Sequence, residues 1–188
     1  MPRPTRLLPL AAVATLAVLG ACSPGPNPNA KKVINACLAV SAADASAIVG
    51  GDLMAYKMTG DDAPRAICEY NTHSADTLAL IQLQKADAIK DTAADLASDQ
   101  QSIHLLFKSD VKPPATHPAD GFGAAAFYAN MTPRKDATVV QLHLIENGWK
   151  VTAVVNNPKD FGSGEKQAAA LVQKVFDSIQ SGAAFGTI

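Results

Sequence analysis

Aromatic residues make up only 5% of this 188-residue chain, and there is a single Trp. Its core must therefore be built mostly from small aliphatic side chains. No excess of positive charge is present: 16 Lys plus Arg face 17 Asp plus Glu. That balance argues against a nucleic-acid binder, which would carry a basic face. The N-terminal apolar run, Leu7 to Leu19, falls short of the roughly 20 residues needed to cross a bilayer, and Pro9 and Thr15 interrupt it. No His or Cys stands at zinc-ligand spacing from another. His73, His104, His117 and His143 are scattered and are expected on the surface or in loops. Neither a nucleophile elbow nor a triad signature occurs, and no repeat of solenoid period is visible. No catalytic residue, metal or cofactor is therefore expected.

What is present begins at the N-terminus. Arg3 and Arg6 form a positive segment, Leu7 to Leu19 an apolar one, and Gly20 and Ala21 a small-residue cleavage point. The arginines are not adjacent, which argues against a twin-arginine signal. Leu19-Gly20-Ala21-Cys22 resembles the lipobox of bacterial lipoproteins, in which the leader is removed and the following Cys is acylated. A plain secretory signal would leave Cys22 an ordinary residue, but a small-residue site ending directly on Cys favours the lipobox. The resemblance implies a lipid anchor on Cys22 with two or three acyl chains. At about 0.8 kcal/mol per buried methylene, two or more chains hold permanently where one binds marginally. In the sorting rule of that family Asp after the Cys retains the protein in the inner membrane, so Ser23 implies the outer membrane where the cell has one.

Residues 1–21 are thus read as a signal peptide, 22–32 as a tether and 33–188 as one globular domain. The tether is rich in Pro and polar residues and would reach on the order of 30 Å when extended. Without the two leader arginines the chain carries 14 cations against 17 anions, a net of −3. With Cys22 lipidated, Cys37 and Cys68 remain, 31 residues apart. In an exported compartment they can form a disulfide, which would contribute about 3–4 kcal/mol in the chain-entropy model. Two buried thiols and a metal pair are the alternatives.

Along the domain, Ser41-Ala42-Ala43-Asp44 reads as a capping box, and Gly50-Gly51 as the end of that helix. Leu53–Met58, Ile67–Thr72 and Thr77–Gln84 read as strands, the last two a hairpin around His73 to Asp76. Residues 86–107 read as a helix with Ala86, Ile89, Ala93 and Leu96 on one stripe. Its end, from Ile103, fits the opening of a strand equally well on pattern alone. Pro113, Pro114 and Pro118 make 112–120 a loop. Strands follow at Ala124–Asn130, Val139–Ile145 and Trp149–Val155, the last two joined by Asn147-Gly148, the strongest hairpin signal in the chain. Glu165–Gln180 is an amphipathic helix with Gly182 as its cap, and residues 183–188 are left as a tail. The expected class is α+β: about six mainly antiparallel strands with three helices, in the order helix, three strands, helix, three strands, helix.

Two patterns are candidate sites. Gly121-Phe122-Gly123-Ala124-Ala125-Ala126 fits a relaxed dinucleotide-binding pattern, but that motif must follow a buried strand and open a helix. Here the glycines are read as loop entry. Asp87, Asp91, Asp95 and Asp99 recur every fourth residue and would form one acidic stripe on the middle helix. The stripe is either a solvated face or a docking strip for a basic partner. Helical spacing cannot wrap a calcium ion.

The element order, with Cys37 ahead of a helix ending at Gly50, Cys68-Glu69-Tyr70 on a strand, Gly121-Phe122-Gly123 before an Ala-rich strand and Ala170-Leu171 in the last helix, resembles a family of small envelope lipoproteins of unknown function, best populated in actinobacteria. The resemblance covers about residues 35–181. It departs at Tyr70, where Trp is usual, and after Gly123, where an acidic residue is missing. It implies a PsbP-like α/β sandwich, a kind of domain that mostly binds other proteins and brings no common catalytic residues. The expected function is a non-enzymatic, membrane-anchored binding or accessory lipoprotein of the envelope with a protein partner. The alternative is a periplasmic immunity lipoprotein that neutralises a secreted toxin, and a hydrolase would need a clustered Ser or His pocket.

Overall fold

The computed structural model describes residues 31–60, 63–87, 89–107 and 112–187. The leader, Cys22 and the tether to residue 30 lie outside the described residues. The elements run β1 (Lys32–Ile34), α1 (Ala36–Ala39), α2 (Ala42–Val49), β2 (Leu53–Lys57), β3 (Arg65–Thr72), β4 (Thr77–Lys85), α3 (Thr92–Leu106), β5 (Lys112–Pro118), β6 (Phe127–Arg134), β7 (Ala137–Glu146), β8 (Trp149–Asn156), α4 (Phe161–Ser181) and β9 (Phe185–Thr187).

Seven strands form one antiparallel sheet in the order β2-β3-β4-β8-β7-β6-β5, and β1 pairs with β9 in a separate ribbon. The class is α+β. The details differ from the pattern reading in several places, among them α4, which starts at Phe161 rather than Glu165, and β6, which spans Phe127–Arg134 rather than Ala124–Asn130. Residues 112–118 are a strand, not a loop. Prolines suit an edge strand, which needs its N–H groups on one side only, and β5 is the sheet's outer strand beyond β6. The C-terminal tail is not free, because Phe185–Thr187 pairs with Lys32–Ile34. Cys37 does lie ahead of α2, but inside a short helix of its own, α1, that the pattern did not suggest. The middle helix starts at Thr92, six residues later than its apolar stripe suggested, because Asp91 caps it and accepts from Ala94 N.

Local chemistry explains most of the other ends. Ser41 Oγ accepts from Asp44 N while Asp44 Oδ2 accepts from Ser41 N, the reciprocal box read from the sequence. Asn147 and Gly148 both take positive φ, as the two-residue turn between β7 and β8 requires. The strand β6 follows Gly121 and Gly123, so the glycines open a loop and no helix N-terminus is there to receive a pyrophosphate.

The core lies between one sheet face and α1, α2 and α4. Cys68 and Tyr70 of β3, Ile81 and Leu83 of β4, Val140, Leu142 and Leu144 of β7, and Val151 and Val155 of β8 meet Ala168, Leu171, Val172 and Val175 of α4. Small residues let the layers approach closely. A Cβ on Gly164 would lie 2.6 Å from Val140 Cγ2 and 2.8 Å from Pro158 Cγ, so the first turns of α4 can rest on β7 only without one. Cys37 and Cys68 stand at disulfide distance, with Cα atoms 5.1 Å apart, and tie α1 to β3. Beside them the fully buried Tyr70 donates its hydroxyl to Val40 O at 2.7 Å. Burial, and then Asp44 nearby, push the pKa of that phenol upward, so it stays a donor.

Candidate functional site

Alternation along the strands gives the sheet a second face, and this face is only half covered. Over β6 and β7, α3 packs Leu96 and Ile103 against Phe127, Ala129 and Met131. Among the described residues no helix lies over this face of β2, β3 and β4, and α3 reaches β8 at Lys150. The strand register assembles the open half into transverse rows. Tyr56 of β2 pairs with Glu69, Glu69 with Leu80, Leu80 with Val154, and Val154 with Gln141. In the next row Ile67 pairs with Gln82, Gln82 with Thr152, and Thr152 with His143.

The edge of α3 and this open half enclose a groove of about 390 Å³, whose lining includes Leu80, Gln82, Gln141, Thr152 and Val154 from the sheet and Ile103, Leu106 and Phe107 from α3. Leu106 in its lining is 77% accessible, and Tyr56, in the same transverse row as Leu80 and Val154, is 43% accessible. The apolar side chains of this face stand among Gln82, Gln141, Arg65 and Glu69.

The groove's inner end is charged. Lys150 of β8 donates from Nζ to Asp95 and, at 2.9 Å, to Asp99 on α3. Burial alone would lower the Lys150 pKa, but hydrogen bonds to Asp95 and Asp99 outweigh it and hold the ammonium above its usual range. Burial likewise pushes Asp99 up, and hydrogen bonds from His143 and Lys150 reverse this and hold its carboxyl below the usual carboxylate range. His143 Nδ1 lies 3.4 Å from Asp99 Oδ2, and its ring stacks on Phe127 at 4.8 Å. Its Nε2 lies 2.8 Å from Gln141 Oε1. A nucleophilic triad needs a hydroxyl or thiol at that position, and an amide oxygen stands there instead. The cluster clasps a helix to a sheet.

The four spaced aspartates therefore have different surroundings. Asp87 precedes α3 and lies 4.0 Å from Lys85, Asp91 is the helix cap, and Asp95 and Asp99 turn inward to Lys150. They do not line one solvated helical stripe. His143 is buried at 7% exposure, not a surface residue, because α3 covers its side of β7. His117 of β5 reaches Glu165 of α4 at 3.0 Å, where Asn130 also donates to the same carboxylate oxygen at 2.7 Å. His73 pairs with Asp52 in the open, and His104 is exposed in the last turn of α3. Among the described residues no group of three His, Cys, Asp or Glu side chains is placed to hold a metal ion, and no helix is long and apolar enough to cross a membrane.

Sequence reasoning did not find Tyr56, Leu80, Val154 or Leu106 as a surface. The alternation was visible, but strand order was not, and only the order places these residues side by side. No family model matches the chain, and the search of curated proteins returns no match.

Proposed function

We propose that the chain is an envelope lipoprotein held by acyl chains on Cys22, and that its domain is a PsbP-like sandwich that docks a protein partner on the open half of its sheet. The reading places it on the periplasmic face of the outer membrane in a cell that has one. The lipobox-like Leu19 to Cys22 supports the anchor. A seven-stranded antiparallel sheet with helices on both faces is compatible with a PsbP-like sandwich. The observation that carries the docking half is the exposed Tyr56 in one row with the half-buried Leu80 and Val154, on the face where Leu106 of α3 is also exposed. Apolar side chains left open in this way lose contact with water only when something covers them.

In a producing cell fed a labelled fatty acid, the native chain should take up label and remain with the membrane fraction. Cys22→Ala should lose the label, release the domain and lose the envelope partner with it. Label retained on the Cys22→Ala chain would sink the anchor, and an unanchored native chain would sink the envelope role.

A further inference from the structure

A second and larger groove, of about 800 Å³, lies at the end of β4 and the start of β8, lined also by residues of the β1–β9 ribbon. Its walls are apolar: Val33 and Ile34 from β1, Phe185 from β9, Pro64, and the chain's one tryptophan, Trp149, at the start of β8. Trp149 and Phe185 meet edge to face at 6.3 Å. The rim is basic. Among the described residues Lys31, Lys32 and Lys85 border it with one carboxylate, Asp87, in a chain whose overall net charge is −1. An apolar trough of drug-like volume with a few convergent charges is the form of a small-molecule site, and here the charges specify an anion at the mouth.

We propose that this groove binds a single-chain anionic lipid, with the acyl chain along Trp149, Ile34 and Phe185 and the acidic head against Lys32 and Lys85. The apolar length and the charged mouth favour that class over a free anion, which would gain nothing from Trp149 and Phe185. They also favour it over a neutral lipid, which would make no use of the cations at Lys32 and Lys85. Asp87, 4.0 Å from Lys85, opposes an anionic head and partly occupies that lysine. Replacing it by Asn should therefore tighten binding. Gln84 lines both this groove and the one beside α3, whereas Lys32, Lys85, Trp149 and Phe185 line this one alone.

The test uses the full chain carrying Cys22→Ala, so that no acyl group of its own competes. Trp149 is the only indole, so its fluorescence reports this site alone. A fatty acid brominated along its chain, kept below its micelle concentration, should quench Trp149 saturably, and unbrominated fatty acid should reverse the quench. Lys32→Glu with Lys85→Glu should weaken the apparent affinity roughly tenfold or more, the scale of one lost charge-assisted contact, without shifting the melting temperature. Asp87→Asn should strengthen it. The brominated acyl chain on a zwitterionic choline head should bind at least tenfold more weakly than the anionic form. Absence of saturable quenching, equal quenching by the two heads, or indifference to the lysine reversals would overturn the proposal. Quenching that requires anionic vesicles and is absent with monomeric fatty acid would overturn it as well, because the face would then meet a membrane surface.

Discussion

Removing the Cys37–Cys68 bond by the paired change Cys37→Ala and Cys68→Ala should lower unfolding free energy by about 3–4 kcal/mol, the constraint expected of a 31-residue loop. For a domain of this size that corresponds to a fall of about 10 °C in Tm. The bond matters because of what it holds. The helix α1 is four residues long, and a helix of one turn has no stability in isolation. It is fixed by the Asn35 cap, by burial of Ala36, Ala39 and Val40, by the Tyr70 hydroxyl on Val40 O, and by the bond to β3. Without the cross-link, α1 and the start of the domain should open first, so Tyr70 should lose protection ahead of α4. Urea unfolding should show the midpoint falling with little change in slope. A loss under about 1 kcal/mol would mean that the loop is already constrained in the unfolded chain.

Lys150→Met should cost about 2 kcal/mol. Removing one member of a fully buried pair costs about 3–5 kcal/mol. That figure is discounted because the Asp95 and Asp99 side chains keep 33% and 26% of their exposure. Met retains the stem packing, so the loss isolates the charge. The effect should concentrate on α3, which buries only Leu96 and Ile103 of its fifteen residues and so depends on the clasp more than α4 does. Hydrogen exchange should accelerate in Thr92–Leu106 and stay unchanged in Phe161–Ser181. Adding Asp95→Asn and Asp99→Asn should recover most of the loss, because no unpaired charge is left.

The same cluster sets a pH dependence. Asp99 has a folded pKa below its ordinary value of 3.8, so it stabilises the fold above about pH 4, and that contribution disappears as pH falls through the lower folded value. Lys150 has a folded pKa above 10.5, so its contribution is complete below that pH and is lost as pH rises through the higher folded value. The gap in stability between native and Lys150→Met protein should therefore be widest near neutral pH and shrink in acid. A gap that persists unchanged in strong acid would show that the lost packing, not the charge, explains it.

Elements whose signals are local were legible in the sequence. Asn147-Gly148 fixed a hairpin, Ser41 and Asp44 fixed a helix start, and the 3.6-residue stripe of Leu171, Val172 and Val175 fixed the last helix and the face it buries. Non-local pairings were not. Lys32–Ile34 and Phe185–Thr187 are each too short to signal a strand, and each is a strand only because the other is beside it. Prolines marked 112–118 as a loop, yet an edge strand tolerates them. The spacing of Asp87, Asp91, Asp95 and Asp99 suggested a single acidic stripe, but which way a helix turns depends on what it meets, and here it meets Lys150. His143 read as solvent-facing because it alternates with Val140, Leu142 and Leu144, and a two-residue period cannot tell whether the second face is covered. The open half of the sheet was hidden for the same reason, since it exists only through the strand order β2-β3-β4-β8-β7.

The central claim is that the open half of the sheet, and not the helical side, meets a partner in the envelope. Site-specific photo-crosslinking tests it directly. A photoreactive residue in place of Tyr56 lies on the open face, and one in place of the exposed Lys166 lies on α4 on the opposite side. In cells, the Tyr56 position should give one discrete protein adduct, lost when Leu80→Asp is added in a chain that still melts cooperatively, and the Lys166 position should give none. Adducts of equal yield from both positions, or from Lys166 alone, would contradict the account.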